Sequence, residues 1–293
     1  MQSPFKRVLV YDLETGGLKN KFNSITEVAM VAIDLETLNI VEEASVMLLP
    51  YFDLSNVNKD PKKEAIEIIK MIGEPDADTG IKTVIFKGEK MTLKNYDLLA
   101  EEIKQFYKEY LSDQIGVIDY TEIKRLEGTK WNDIINIYFD KCYNPQALEV
   151  THISREMLTL EGVTLEKAIK KITEIIANNT VGNSKPILAG HNIKKFDNPF
   201  FEIFFEINKQ VLSKIINDLI IDTIEFARLK WFEIASFNLS TCSDAVGLTL
   251  KSAHRALPDT IANANFLIKM LKSLRGEGTQ EKKYERKKYA FNF

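Results

Sequence analysis

RVLVYDLETGG, Arg7–Gly17, is an almost unbroken apolar run that ends in two acids and two glycines. Side chains alternate along a strand, so Val8, Val10, Asp12 and Glu14 share one face and Leu9, Tyr11 and Leu13 the other. Apolar residues on both faces predict a central strand over Arg7–Thr15, covered from both sides. The two carboxylates then project side by side from one face. Such a pair is costly to leave bare, and a hard divalent cation, Mg²⁺ or Mn²⁺, is its natural neutraliser. On this segment alone, a plain acidic strand end reads equally well. Thr15, Gly16 and Gly17 would let backbone approach a ligand closely.

Working outward, TEVAMVAIDL (Thr26–Leu35) and ASVMLLP (Ala44–Pro50) predict two further strands, spaced for an antiparallel meander with the first. KPILA (Lys185–Ala189) and LIID (Leu219–Asp222) predict two more. Helical periodicity appears over Thr164–Asn178, Pro199–Lys214 and Pro258–Leu274. Hairpins followed by alternating strands and helices imply a mixed sheet flanked by helices.

Residues 52–140 fit that plan poorly and read as an inserted α+β subdomain between core segments 1–51 and 141–274. A polar stretch leads to a short helix at Glu64–Ile72, and a hairpin is expected around Lys87–Gly88. Asn95–Leu111 is amphipathic, with Leu98, Leu99, Ile103, Phe106 and Leu111 on one stripe that must be buried on the core or on a partner. Residues 275–293 form a tail of different composition, with five basic residues in Lys282–Lys288 followed by Tyr289, Phe291 and Phe293. It reads as a solvated terminus, or as a peptide that touches nucleic acid or a partner protein.

Bulk properties narrow the field little. At 293 residues, one large domain or a core with an insertion is expected, and 45% hydrophobic with 28% charged residues is ordinary for a globular chain. No apolar run approaches the roughly 20 residues that span a bilayer, and the N-terminus lacks a signal-peptide plan, so a cytoplasmic setting without membrane contact is expected. Lys and Arg number 39 against 42 acids, for a net charge of −3. A broad basic nucleic-acid surface is therefore not expected, but a local groove remains open. Cys142 and Cys242 are too few for a disulfide framework and read as small buried hydrophobes.

Two more segments carry chemistry. In HNIKKFD (His191–Asp197), Asp197 sits at an expected helix start, where Asn198 and Pro199 supply cap and first-turn residues. Alone it reads as readily as an N-cap, and His191 and Asn192 as strand-end residues bonded to backbone. In HRALPD (His254–Asp259), an imidazole able to accept a proton near neutrality precedes an acid at the start of the last helix. The chain has only three histidines, His152, His191 and His254, and all fall in such segments. Phe196, Phe200 and Phe201 could stack on bases, but their spacing around the helix start favours core packing.

DLETGG, HN-x3-FD and HRALPD, in this order, resemble the three motifs of the DEDDh 3′–5′ exonucleases, which have a ribonuclease H-like fold and include proofreading epsilon subunits, ribonuclease T and oligoribonuclease. Glu149–Leu158, Ile221–Arg228 and Ser236–Leu248 resemble the connecting segments of the epsilon-type branch. The resemblance covers about residues 6–50 and 144–274, not the insertion or the tail. It implies that Asp12, Glu14 and Asp259 bind one of two Mg²⁺ or Mn²⁺ ions, with Asp12 bridging to the second and Asp197 acting through water. The ions would lie about 3.5–4 Å apart. His254 would be the general base, Thr15, Gly16, Gly17 and Leu18 would receive the terminal nucleotide, and His191 or Asn192 would position the strand. Pro258 departs from the small or acidic residue common at its position.

The expected function is removal of nucleotides from single-stranded DNA 3′ ends, in proofreading or DNA processing, with a polymerase or other replication protein as a partner through the insertion or the tail. The alternative is a 3′–5′ exoribonuclease, separated by contacts to a 2′-hydroxyl. A non-catalytic adaptor would be expected to lose a motif residue, and all five are kept. An all-oxygen ligand set without Cys also argues against a structural zinc site.

Overall fold

In the computed structural model, residues 4–111, 116–231, 233–248 and 255–277 are described. The chain opens with the expected meander: β1 (Arg7–Thr15), β2 (Ile25–Asp34) and β3 (Ile40–Met47) pair antiparallel in sequence order. The third strand starts four residues before the expected Ala44. Its alternating half-buried and exposed pattern, with Glu42 and Glu43 in it, marks an edge strand.

The segment expected to be an insertion follows, with β4 (Phe52–Asp53), α1 (Pro61–Ile72), the meander β5 (Glu74–Pro75), β6 (Lys82–Phe86) and β7 (Glu89–Met91), α2 (Asp97–Phe106), β8 (Val117–Ile118), α3 (Tyr120–Leu126) and α4 (Asn132–Cys142), which runs past its expected end at residue 140. Lys87 and Gly88 make the hairpin turn with φ of 49° and 78°, as a two-residue turn between twisted strands requires. The amphipathic stripe is buried: Leu99, Ile103 and Phe106 pack with Ile68, Ile69, Ile134 and Tyr138 in one apolar cluster that also takes in Met47, Tyr143, Ile153 and Leu158 of the flanking segments. Trp131 belongs to this core.

The chain then returns through α5 (Pro145–Thr151), α6 (Arg155–Glu161), α7 (Leu165–Asn178), β9 (Ile187–Gly190), α8 (Asp197–Ile207), β10 (Ile220–Asp222), α9 (Thr223–Lys230), α10 (Leu239–Ala245) and α11 (Ala256–Leu274). The helix expected over Pro199–Lys214 starts two residues earlier and ends at Ile207. The backbone passes into the left-handed region at Lys209 (φ 56°), and a 3₁₀ turn covers Leu212–Lys214. The main sheet has five strands in the order β10-β9-β1-β2-β3, with β9 parallel to both β1 and β10.

This sheet is covered on both sides, as the two-faced apolar pattern of β1 requires. Leu9, Tyr11 and Leu13 pack with α7 and α8 through Ile172, Phe201 and Phe204. Val8 and Val10 pack with Ala264, Leu267 and Ile268 of α11. Phe200 and Phe201 are core residues, and Cys142 and Cys242 are buried free thiols. Gly190 lets β9 approach β1 closely: a Cβ there would lie 2.1 Å from Ile193 Cγ2 and 2.8 Å from the Tyr11 carbonyl. Among the described residues no helix is long and apolar enough to cross a membrane. This is the ribonuclease H-like arrangement, a mixed five-stranded sheet between helical layers.

Candidate active site

Asp12 and Glu14 continue the face of β1 that carries Val8 and Val10, and α11 lies against that face. Asp259, in the first turn of α11, is thereby brought over the end of β1. Carboxylate oxygens of Asp12, Glu14 and Asp259 lie within 4.8 Å of one another. Asp197 reaches the same place from α8, where its Oδ1 accepts the Leu13 N–H at 3.1 Å. It is therefore no simple N-cap. Its carboxylate spans from one element to the central strand.

Four acids so close together resist ionisation. Burial pushes the Asp12 carboxyl well above the usual carboxylate range, and Asp197, Glu14 and Asp259 push it further. Glu14 is raised to about 8 by burial, then by Asp259, Glu27 and Asp197. Burial raises Asp197 to about 7, opposed by the Leu13 hydrogen bond. A set of protonated or mutually repelling carboxylates has oxygen donors of the type that divalent cations satisfy, so the residues present fit the metal that the motifs imply.

Several neighbours escaped the sequence reading. Glu27 faces Glu14 across the β1–β2 ladder and is buried. It accepts hydrogen bonds from Ser45 Oγ (2.7 Å), Arg255 Nε (3.1 Å) and the Ala256 N–H (3.4 Å). It thus ties the start of α11, and with it Asp259, to the sheet. An acid within the apolar run TEVAMVAID was the available signal. Asp222 is likewise buried and accepts the N–H groups of Asn192 (2.7 Å), Lys194 (3.2 Å) and Ile224 (3.2 Å). It caps α9 while holding the loop that leads to Asp197. The Tyr11 hydroxyl donates to Asn198 Oδ1, fixing the same helix start to β1.

The structure gives His191 a different part from the one expected. Nε2 meets the Phe237 carbonyl at 2.7 Å and Nδ1 the Thr223 hydroxyl at 2.9 Å. A carbonyl only accepts, so the proton sits on Nε2, and burial lowers the ring's pKa in keeping with a neutral imidazole. Both nitrogens are engaged within the protein, and the ring ties the start of α9 to the Phe237 segment. Asn192 adopts φ 65° at the turn that follows β9. His152 is exposed at the end of α5. His254 and residues 278–293, with Tyr289, Phe291 and Phe293, lie outside the described residues.

The loop after β1 is held by residues 141–144 at the end of α4. The Gly16 N–H donates to Ser24 O (2.8 Å), while Ser24 N–H donates to Cys142 O (3.1 Å) and Asn144 N–H to Gly16 O (2.7 Å). Asn23 Nδ2 donates to Lys141 O at 2.9 Å. Gly16 serves this packing and not ligand approach: a Cβ would stand 2.1 Å from the Cys142 carbonyl oxygen. Gly17 (φ 152°) packs on Asn23 in the same way. Thr15 Oγ1 donates to Gly17 O, and Leu18 projects 83% exposed. Leu18 stands at the mouth of a cleft of about 500 Å³ that also reaches Leu13, Glu14 and Phe196.

No family model matches the chain. It is 30% identical over 187 residues to the PolC-type DNA polymerase III of Bacillus cereus, covering 62% of this chain and 12% of the relative. It is 24% identical over 218 residues to the PolC-type DNA polymerase III of Clostridium perfringens, covering 74% and 14%. The chain thus spans about an eighth of the curated relatives it matches. Among solved structures it resembles the zinc-bound Escherichia coli exonuclease I–single-stranded DNA complex, with TM-score 0.52 and 14% identity over 93% of this chain and 41% of that one. Escherichia coli exonuclease I in complex with a dT13 oligonucleotide gives TM-score 0.52 and 14% identity over 92% and 42%. With the three motifs in order and their four carboxylates gathered at the end of β1, the chain has the fold of exonuclease I and is similar to PolC-type DNA polymerases III over part of their length.

Proposed function

We propose that the chain is a metal-dependent 3′–5′ exonuclease that removes 5′-mononucleotides from the 3′ end of single-stranded DNA. The observation that carries this reading is the cluster of Asp12, Glu14 and Asp259, with Asp197 beside it, on three elements that the fold brings together. Two ions, Mg²⁺ or Mn²⁺, held by these carboxylates would neutralise them, activate an attacking water and stabilise the leaving 3′ oxygen.

The chain's own residues supply the rest. Leu13 keeps Asp197 in place through its N–H, and Glu27 with Arg255 holds Asp259 over the strand end. Thr15, Gly17 and Leu18 border the cleft that would take the terminal nucleotide, and Asn192 would assist the strand. His254 would accept the proton of the attacking water. DNA as substrate is supported by relatives named as DNA polymerases and by neighbours bound to single-stranded DNA. In keeping with that substrate we read the chain as cytoplasmic, with a polymerase or other replication protein reached through the insertion or the tail.

The test is degradation of matched 5′-labelled DNA and RNA strands with Mg²⁺, Mn²⁺ or EDTA. Stepwise shortening from the 3′ end with metal and none in EDTA is expected, and Asp12→Ala or Asp259→Ala should abolish it. Hydrolysis that survives EDTA or either substitution refutes the assignment, while preference for RNA would make the enzyme an exoribonuclease.

A further inference from the structure

The cleft beside the carboxylates is not built by the exonuclease core alone. One side is the end of β1 and its loop, with Glu14, Leu18 and Lys19. The opposite side is the last turn of α1 in the insertion, with Lys70 and Met71. Phe196, the residue just before the buried start of α8, also lines the cleft and is partly buried. The insertion's side is fastened to the core: Gln146 Nε2 on α5 donates to Glu74 Oε1 at 2.9 Å, just past the end of α1. Lys82 Nζ donates to the Lys70 carbonyl at 3.1 Å, which brings a second cation to the same rim.

The charge pattern is directional. Where the cleft meets the carboxylate cluster, Glu14 lines it and belongs with Asp12 and Asp259 to that cluster. At its rim, Lys19 and Lys70 are exposed and form no ion pair among the described residues. Met71, Leu18 and Phe196 supply apolar surface between them. A single strand whose 3′ phosphodiester lies at the carboxylates presents bases to apolar side chains and phosphates to cations, and this cleft offers both in that order.

Resting on the exonuclease reading above, we propose that the inserted subdomain forms the outer wall of the single-strand path. Met71 packs against a nucleotide next to the 3′ end, and Lys70, across from Lys19, holds a backbone phosphate on the 5′ side of the scissile bond. The insertion thereby sets how tightly a strand is gripped, while the chemistry stays with the core.

The experiment compares wild type, Lys70→Glu, Met71→Ala and, as a charge control, Lys170→Glu on the exposed side of α7. Binding of a fluorescein-labelled oligothymidylate is followed by anisotropy in EDTA over a series of salt concentrations, and turnover of the same strand is measured with Mg²⁺. Lys70→Glu should weaken binding roughly tenfold and reduce the salt dependence by about one counterion. Its KM should rise in step and its kcat should stay within about twofold, since the residue is remote from the reacting atoms. Met71→Ala should weaken binding roughly five- to tenfold with the salt slope unchanged, as expected for a lost stacking surface. Binding by Lys70→Glu equal to that by Lys170→Glu, or a fall in kcat with KM unchanged, overturns the wall. The anisotropy arm needs no turnover, so a wild type that fails to hydrolyse DNA sinks the exonuclease reading and still leaves the wall decided.

Discussion

Glu14→Gln tests the electrostatics of the carboxylate cluster most directly. In the folded chain the Glu14 carboxyl titrates at about 8 because it is buried and faces Asp259, Glu27 and Asp197. In the unfolded chain a Glu titrates near about 4.3. Between those values the folded state binds the proton more tightly, so stability is fully present below the unfolded value and declines as pH rises. For one group with these two pKa values, the loss between about pH 5.5 and about pH 8 is about 3 kcal/mol. Glutamine has a similar size and no proton to lose. In EDTA, the wild type should therefore lose about 3 kcal/mol more than Glu14→Gln over that range, measured by urea unfolding at the two pH values. Mn²⁺ at the higher pH should restore wild-type stability and do much less for the variant, which lacks one ligand. Parallel loss of stability in the two proteins, or equal stabilisation by Mn²⁺, would refute both the clustering argument and the ligand assignment.

Other expectations follow from single contacts. His254→Ala should lower turnover by roughly 10²–10⁴-fold with a smaller effect on strand binding, and wild-type turnover should rise with pH through the imidazole range; weakened binding with intact turnover would reassign the residue. Gly16→Ala forces a methyl against the Cys142 carbonyl oxygen, where backbone must move, and should cost about 1–3 kcal/mol in thermal or urea unfolding. Arg255→Ala leaves buried Glu27 without its guanidinium and should cost about 1–3 kcal/mol, with a fall in Mn²⁺ affinity by calorimetry that Arg255→Lys partly rescues. Deleting residues 276–293 should leave hydrolysis of a dinucleotide within a few-fold of wild type and weaken capture of long strands; equal loss on both would mean that the tail serves the catalytic core.

The strands and the long helices were legible because their apolar periodicity is strong, and the two-faced pattern of Arg7–Thr15 alone placed it at the centre of the sheet. Its period also put Asp12 and Glu14 on one face, where their carboxylates lie close together. What stayed hidden depends on contacts between distant segments. Nothing local announces that Glu27 will meet Arg255, 228 residues away, or that the Gly16 loop will hang from Cys142 and Asn144. Asp222 is closer to view: an acid just before TIEFAR is an N-cap pattern, although it also ends an apolar strand. A scarce imidazole in a motif invites a substrate role, while the internal partners of His191, Thr223 and Phe237, come from two later segments that nothing local announces.

The hydrogen bonds from the Gly16–Ser24 loop to Lys141, Cys142 and Asn144 make that loop and the end of α4 a single cooperative unit. Amide protons of Ser24 and Asn144 should therefore exchange with solvent at matched rates, set by the opening of this unit and not by local fraying. A trimmed chain in which a short linker replaces residues 52–140 would keep all four carboxylates, yet Phe52, Ile68, Tyr138 and the rest of that apolar cluster would be gone from beneath Tyr143. Such a minimal nuclease would have its chemistry assembled and its nucleotide loop unmoored. Activity lost in it would measure the tether and not the ligands.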